Sequence, residues 1–196
     1  MSIIVAYKKD DTVYMGTDTR VIIQDDKRNQ LSPCNYKIQK LDNDILVGIS
    51  GEYNERQTLF AYSEIFSLDK NGALTKKHII KEIIPRLFEV LKMENLLNKD
   101  EALPYMKAKI LLAHKDVLFE ICSGFAVLQY KDFQAIGRNS SVIAYATLFN
   151  TKPTDDVNER IIKALALAQK HSHLVGSPFL LIDTKKLEYT LIGGDA

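Results

Sequence analysis

The order in which strand-like and helix-like stretches follow one another limits the fold of this chain more than any single motif does. Residues 2–8 and 12–18 are apolar and β-branched and flank a turn signal, so they predict a β-hairpin, and residues 36–41 and 45–50 predict a second one. Two helical stretches follow, then further strands, two more helices and two closing strands. Blocks of this kind predict an α+β fold, a four-layer α/β/β/α sandwich of two antiparallel sheets flanked by helices.

One helix carries the clearest pattern in the sequence. Its apolar residues recur at spacings of three and four, the period of one helix face: Ile79, Ile80, Ile83, Ile84, Leu87, Phe88 and Leu91. Thr75 is a candidate N-cap, and Pro85 within the pattern predicts a kink or a late start. The other helices are predicted over residues 52–68, 140–149 and from residue 155 or 156 to 169.

Length and composition disfavour several classes of protein. With 196 residues, 46% hydrophobic and 26% charged, the chain is expected to form one domain over residues 1–196. Its formal net charge of +1 and the lack of a long basic run disfavour nucleic acid as a partner. No apolar run approaches the roughly 18 residues of a membrane span and no signal-peptide pattern opens the chain, so we expect a cytoplasmic protein without a membrane partner.

Cysteine and histidine are too sparse to predict a disulfide framework or a zinc site. The two cysteines are Cys34 and Cys122, and so few thiols are typical of a reducing compartment. His171 and His173 form the one close histidine pair in the sequence, and no acidic or thiol ligand stands near them. We therefore expect no metal and no cofactor.

The start of the chain carries the candidate chemistry. Removal of Met1, which a small second residue allows, would leave Ser2 as the N-terminus. A terminal serine holds a nucleophile and a base on one residue, because its hydroxyl attacks while its free α-amine takes the proton. The pKa of an α-amine is ordinarily about 7.7–8, so the amine is a usable base near neutrality. Met-Ser begins very many proteins, so the hypothesis needs support from the residues that follow.

Short motifs spread along the chain, taken together and in order, resemble those of a proteasome β-type subunit. They are Ser2–Ala6, Gly16–Arg20, Tyr36–Ile38, Gly48–Gly51 leading into Thr58–Phe60, and Ala135–Gly137. The same motifs are similar to those of bacterial proteasome-like peptidases, and both groups belong to the N-terminal nucleophile (Ntn) hydrolase superfamily. The resemblance follows the element order over nearly the whole chain and implies the Ntn-hydrolase fold, an α/β/β/α sandwich.

The resemblance also implies roles for individual residues. Ser2 falls at the position of the nucleophile, which is usually threonine in the family, and Asp18 and Lys37 match the family's acidic residue and its lysine. An ammonium beside the N-terminus favours the neutral α-amine and a more acidic hydroxyl, and a carboxylate holds that lysine in place. Gly51 matches the glycine whose backbone N–H stabilises the oxyanion, and one such donor is worth about 10²–10³ in rate. Arg20 is expected to buttress the site.

Each of the supporting residues also has an ordinary structural interpretation. Asp18 fits a turn at the end of a strand, Lys37 the solvent side of an edge strand, and Gly51 the end of a strand before a helix. Serine also lacks the methyl group that restricts χ1 of threonine, which leaves its hydroxyl less well preorganised.

One part of the family pattern is missing from this sequence. Where the family commonly has Gly-Ser-Gly before its third helix, this chain has Gly137-Arg138-Asn139-Ser140. The family also commonly places an aspartate and a serine near that turn and the following helix, where they help the N-terminus to act as a base. Ser140, Asp156 and Ser172 are the candidates for these supporting roles, and the sequence does not select among them.

The resemblance implies an amide hydrolase that acts on peptides or unfolded proteins. Val21, Ile49 and Tyr53 would flank the site and form an apolar pocket that prefers apolar or aromatic side chains. A homo-oligomeric ring, and an ATPase regulator that feeds substrate to it, are implied by the family alone.

Other functions stay open at this point. The chain could be a structural ring subunit that keeps the fold without the chemistry, which retention of Met1 would favour. It could also be an Ntn amidohydrolase or acyl-transfer enzyme that acts on a small amide, and a peptide library would separate that activity from a general protease. Cys34 is the alternative nucleophile, in a predicted loop with no histidine close in sequence.

Overall fold

Two five-stranded antiparallel sheets form the framework of the part of the chain that the computed structural model describes, residues 3–23, 26–29, 35–98, 103–152 and 156–193. Its strands are β1 Ile3–Lys9, β2 Thr12–Asp18, β3 Arg20–Ile23, β4 Asp26–Asn29, β5 Ile38–Lys40, β6 Leu46–Ser50, β7 Lys109–His114, β8 Val117–Ile121, β9 Val127–Tyr130, β10 Phe133–Gly137, β11 Phe179–Asp183 and β12 Thr190–Ile192. The first sheet has the order β10-β1-β2-β11-β12 and the second the order β5-β6-β7-β8-β9. β3 and β4 pair as a separate ribbon.

Helices cover the outer face of each sheet. They are α1 Tyr53–Ala61, α2 Lys76–His78, α3 Ile84–Met93, α4 Ser140–Asn150 and α5 Val157–His171. A 3₁₀ turn, Ser63–Ile65, follows α1, and a π-helical turn, Ile79–Ile83, joins α2 to α3. Within the described residues, no helix combines the length and the apolar character that crossing a bilayer requires.

Apolar clusters hold the layers together. One lies between the sheets and joins Ile4 and Met15 of the first sheet to Ile38, Leu46 and Leu111 of the second. Another joins the second sheet to α1 and α3, and a third joins the first sheet to α4 and α5. The layer order is therefore helices, sheet, sheet, helices, which confirms the predicted α/β/β/α sandwich.

β1 shows how the sequence pattern produces this layering. Successive side chains of a strand point to opposite faces, so Ile3 and Val5 pack towards α4 and α5 while Ile4 and Ala6 pack between the sheets. All four side chains are fully buried. Because β1 has no solvent-facing side in this half, its residues read as a continuous apolar run rather than as an alternating pattern.

The neighbours of β1 determine what surrounds its amino end. The predicted hairpin with β2 is confirmed, and its register puts Ile4 opposite Thr17. On the other edge β1 pairs with β10, where Ile3 lies opposite Gly137. The amino end of β1 is therefore enclosed by the last residues of β2 and the last residues of β10.

The predicted helices are present, with some shifted ends. Thr75 Oγ1 accepts a hydrogen bond from the His78 amide at 3.2 Å and so caps α2, as expected. Pro85 lies in the first turn of α3, directly after the π-helical turn, where its missing N–H is tolerated. The stretch that the sequence predicted as one helix over residues 52–68 divides into α1 and the 3₁₀ turn.

Candidate active site

A buried ion pair lies beside the amino end of β1. Lys37 Nζ is 2.6 Å from Asp18 Oδ1, and the side chains of the two residues are 1% and 0% exposed. The same Asp18 oxygen accepts a hydrogen bond from the Ile3 amide at 3.2 Å. Lys37 Nζ also donates to the carbonyl of Arg20 at 2.6 Å. A single carboxylate oxygen thus links the lysine to the first described amide of β1.

The backbone holds these groups in place from several directions. Asp18 is the last residue of β2, and the neighbouring Thr17 hydroxyl donates to the Ile3 carbonyl at 2.6 Å. The Lys37 carbonyl, directly before β5, accepts from the Ile49 amide at 2.9 Å. Both polar groups of Ile3, its amide and its carbonyl, are therefore bound by consecutive residues of β2.

Burial sets the electrostatics of the pair. It lowers the pKa of the Lys37 ammonium from 10.5 to about 8, and the charge of Asp18 opposes that shift. Removing one partner of a buried pair typically costs about 3–5 kcal/mol, because the other charge is left uncompensated. Lys37 is therefore not a solvent-facing residue of an edge strand. The pKa of its ammonium is close enough to physiological pH for its charge to change there.

One oxygen of this centre lacks a hydrogen-bond partner among the described residues. Asp18 Oδ2 is buried and unbonded there, whereas Oδ1 has two donors. A buried carboxylate oxygen without a donor carries a desolvation penalty of about 1–3 kcal/mol or more.

Gly51 lies where the chain leaves β6 and turns into α1. A Cβ added to Gly51 would come 2.7 Å from the Cα of Ala108, so no side chain fits at this position. Glu55 Oε1 accepts a hydrogen bond from the Lys107 amide at 3.0 Å and so fixes the segment that packs on Gly51. Burial raises the pKa of the Glu55 carboxyl from 4.5 to about 7.

Arg20 ties the ion pair to the loop that follows α5. Its Nη1 donates to the carbonyls of Val175, at 3.1 Å, and His173, at 3.3 Å. The guanidinium lies against Gly176, where an added Cβ would come 2.2 Å from the Arg20 Cζ. The Arg20 carbonyl also accepts from Lys37, so Arg20 connects the ion pair to this loop, and its buttressing role remains a prediction.

Two of the three candidate relay residues lie in segments that contact the centre. Ser140 is buried at the start of α4, three residues after Gly137, the partner of Ile3. Ser172 directly follows α5 as its C-cap, and its Oγ accepts from the Leu174 amide at 3.3 Å, in the loop that Arg20 contacts. The relay roles of both residues remain predictions.

The third candidate, Asp156, has a structural role in α5. Its Oδ1 accepts from the Glu159 amide at 3.1 Å, so it caps the helix. Burial, then the charges of Asp183 and Asp156, raise the pKa of Tyr14, which is four residues before Asp18 in β2. The relay role of Asp156, like those of Ser140 and Ser172, remains a prediction.

The three residues predicted to form an apolar pocket have different surroundings. Ile49 is fully buried in the cluster beneath α1, and Val21 is almost fully buried in β3. Tyr53 lines a pocket of about 280 Å³ whose other lining mixes polar and apolar residues: Asn35, Tyr36, Gln39, Arg56, Gln57, Phe60 and Ala61. The Arg56 guanidinium lies 5.0 Å from the centre of the Tyr53 ring. Of the three residues only Tyr53 lines this pocket, and the apolar substrate pocket remains a prediction.

A second and larger cleft of about 620 Å³ opens between Gly51 and Gly137. Its lining includes Lys107, Lys109 and Arg138, which sequence analysis did not select. Isolated lysines and an arginine give no local signal, because only the tertiary fold brings the ends of β6, β7 and β10 together.

Sequence analysis also missed Glu55, because a charged residue in a short helix is ordinarily taken for a solvent-exposed one.

Met1, Ser2 and Cys34 lie outside the described residues, so the roles predicted for Ser2 and Cys34 are still predictions.

Comparison with known proteins decides the family. A model of the proteasome subunit family matches residues 2–177. The chain belongs to the proteasome subunit family. That family and the layered fold are those of Ntn hydrolases, as the sequence motifs predicted. A search of curated protein sequences finds no match.

Solved structures of proteasome-like proteins share this fold. BPH from Thiobacillus denitrificans is 19% identical with a TM-score of 0.76, covering 95% of this chain and 98% of that one. HslV from Trypanosoma brucei is 16% identical with a TM-score of 0.62, covering 92% and 98%. Anbu from Yersinia bercovieri is 12% identical with a TM-score of 0.74, covering 98% and 88%. At these identities the likeness shows the fold alone.

Proposed function

We propose that this proteasome-family chain is an N-terminal-nucleophile peptidase in which Ser2, freed by removal of Met1, attacks the peptide carbonyl. The observation that carries the proposal is the buried Asp18–Lys37 pair, bonded through Asp18 Oδ1 to the Ile3 amide. Ser2 is joined covalently to that amide, so the residue proposed as the nucleophile directly precedes the group that the ion pair binds. A buried ion pair is costly to form, and a strongly perturbed pKa in such a pair is typical of a functional site.

The chemistry needs no group beyond the chain itself and water. The Ser2 α-amine takes the hydroxyl proton as Oγ attacks the carbonyl carbon, and the Gly51 N–H stabilises the oxyanion that forms. Collapse of this intermediate breaks the C–N bond, the leaving amine takes the proton back from the α-ammonium, and an ester on Ser2 remains. Water then attacks that ester, with the α-amine again as base, and releases the carboxylic acid and the free serine.

Lys37 acts on this reaction through its charge. An ammonium close to the α-amine lowers the pKa of that amine, so more of it is in the neutral form that can accept a proton. The charged form of Lys37 is lost as the pH rises through about 8. Activity should therefore decline on the alkaline side of about pH 8, and it should also decline in acid, where the α-amine is protonated.

The test is hydrolysis of a peptide library and of an unfolded protein by the purified chain, with product masses as the readout. Wild type and Ser2→Thr, which keeps the hydroxyl, should cleave peptide bonds, whereas Ser2→Ala should not. Cleavage that survives in Ser2→Ala would remove the proposed nucleophile. Turnover of small amides only would point to an amidohydrolase, and retained Met1 without turnover would point to a catalytically silent subunit.

Assembly belongs to the same proposal. Family membership supports a homo-oligomeric ring, with an ATPase regulator as a candidate partner, and unfolded proteins or peptides as substrates. Native mass spectrometry of the purified chain measures the assembly, and a mass of one chain at working concentration would contradict the ring.

A further inference from the structure

The cleft between Gly51 and Gly137 carries an unbalanced positive charge. Lys107, Lys109 and Arg138 line it, and the exposed Glu52 is the acidic residue in its lining. The chain as a whole has 26 basic and 25 acidic residues, so this local excess does not reflect a basic protein. In the described part of the chain, none of the three cations forms an ion pair.

The strand order places this cleft on one particular side of Gly51. β6, whose last residue Ser50 precedes Gly51, lies between β5 and β7 in the second sheet. The pocket beside Tyr53 uses Asn35 and Gln39 and so lies on the β5 side. The cationic cleft uses Lys109, the first residue of β7, whose register partner is Ser50. A peptide that crosses Gly51 therefore has one half beside each cavity.

The cleft is large enough to bind a peptide side chain, and the backbone segment that carries Lys107 is held in place. Its volume is about 620 Å³, against about 280 Å³ for the pocket beside Tyr53. The backbone of Lys107 is fixed by the buried Glu55 carboxylate at 3.0 Å, and Met106 beneath it is fully buried. The flexible ammonium groups are thus carried by a rigid segment.

From this placement we infer that the β7-side cleft selects peptide substrates by a carboxylate group, held by Lys107, Lys109 and Arg138. Ammonium and guanidinium groups bind carboxylates through charge-assisted hydrogen bonds, and a guanidinium binds both carboxylate oxygens at once. The inference rests on the proposed function, because it assigns the cleft to the half of the substrate that lies across the scissile bond from the Tyr53 pocket. Two sources supply such a carboxylate: an acidic side chain or the C-terminus of a short peptide.

The cleavage experiment uses matched peptides that differ in one group. Acetylated, amidated peptides carry Glu or Gln at each of three positions on either side of one scissile bond, and a neutral peptide is compared with free and amidated C-termini. We expect kcat/KM about tenfold higher for Glu than for Gln, on one side of the bond only, and a weaker preference in high salt. A preference for the free C-terminus alone would assign the cleft to the chain end instead of a side chain. Equal rates for all pairs would overturn the inference.

Charge-matched variants separate the cleft from the overall charge of the protein. Lys107→Gln, Lys109→Gln and Arg138→Gln together should bring the Glu/Gln ratio close to one. Lys76→Gln, Lys77→Gln and Lys81→Gln remove the same charge from exposed positions of α2 and the π-helical turn and should leave the ratio unchanged. A ratio that survives the first set, or that both sets lower equally, would contradict the assignment.

A binding measurement distinguishes failure of this inference from failure of the proposed function. In Ser2→Ala protein, which cannot turn over by the proposed route, the fluorescent Glu peptide should bind about tenfold more tightly than its Gln partner by anisotropy, and the cleft variants should abolish that difference. If no peptide is cleaved but this difference is found, the proposed function fails and the cleft assignment stands. If peptides are cleaved and the two peptides bind equally, only the cleft assignment fails.

Discussion

A buried cation lies at each end of β1, and the two cations have different partners. At the amino end, Lys37 is paired with a carboxylate and bonded to the strand through it. At the other end, Arg160 lies over the Tyr7 ring, 4.2 Å from its centre, and also donates to the Tyr7 hydroxyl. Its remaining partners are neutral oxygens of Thr151 and Leu148, at 2.7 and 3.1 Å.

The difference distinguishes a cation that stabilises the fold from a cation whose charge can take part in the proposed reaction. A guanidinium stays charged at every pH at which a protein is folded, and five donors let it join several segments at once. Arg160 uses them to hold the end of α4 and the start of α5 against β1. A lysine can lose its charge when it is buried, and Lys37 does so near pH 8. The titratable cation, Lys37, thus lies at the amino end of β1, where catalysis is proposed.

The largest effect is expected from removing the titratable pair as a unit. Asp18→Asn with Lys37→Met should fold, because replacing both partners avoids an unpaired buried charge and the asparagine oxygen still accepts from the Ile3 amide. Peptidase kcat/KM should fall by about 100-fold or more, since the charge that tunes the α-amine is gone. Wild-type rates from this variant would refute the role of the pair.

The opposite outcome is expected at the structural end of the strand. Arg160→Met leaves the Tyr7 hydroxyl and the Leu148 carbonyl without their donor, and the free energy of unfolding should fall by about 3 kcal/mol in urea titrations. The kcat/KM of the protein that remains folded should be unchanged. A loss of activity as large as that of the Lys37 variant would erase the distinction between the two ends.

Glu55 is a third buried charged residue to compare with Lys37 and Arg160. It is a buried carboxylate without an ion-pair partner in the described residues. Its raised pKa means that between pH 4.5 and about 7 the folded chain binds a proton that the unfolded chain releases. The free energy of unfolding should therefore fall as the pH rises through this window, by about 3 kcal/mol. Glu55→Gln should flatten that part of the profile. The same slope in variant and wild type would show that another group causes it.

The smallest effect on catalysis is a shift in a pH profile, in a variant whose free energy of unfolding should also fall by about 3–5 kcal/mol because Lys37 loses its buried partner. Asp18→Asn alone removes the charge that raises the pKa of Lys37, so this pKa should fall further below about 8. The alkaline limb of kcat/KM should then move to lower pH by about one unit, measured with one peptide from pH 6 to 10. A limb that does not move, or that moves to higher pH, would show that it belongs to a different group.

Local patterns were sufficient to predict the layers, and the family motifs were sufficient to select the ion pair. The run of buried residues in β1, the N-cap at Thr75 and the position of Pro85 all follow from short-range rules. Asp18 and Lys37 are far apart in sequence, and no spacing rule joins them. The resemblance did so, and the fold brings them to 2.6 Å.

Burial of charge and the shapes of cavities could not be predicted, because both depend on contacts between layers. Arg160 and Glu55 are polar residues on helices, and their sequence context does not distinguish them from solvent-facing ones. Asp156 was ambiguous for a different reason, since one residue type serves both catalysis and helix capping. Ile49 is buried in the cluster beneath α1, and its place beside the substrate remains a prediction.

The most direct test of the account is the intact mass of the purified chain before and after incubation with epoxomicin, the ligand in one of the BPH structures. The proposed function predicts a protein that has lost Met1 and that gains the mass of one inhibitor, with the adduct on the N-terminal peptide and absent in Ser2→Ala. A chain that keeps Met1 and gains no inhibitor, or that carries the adduct on another residue, would contradict the proposed chemistry at Ser2.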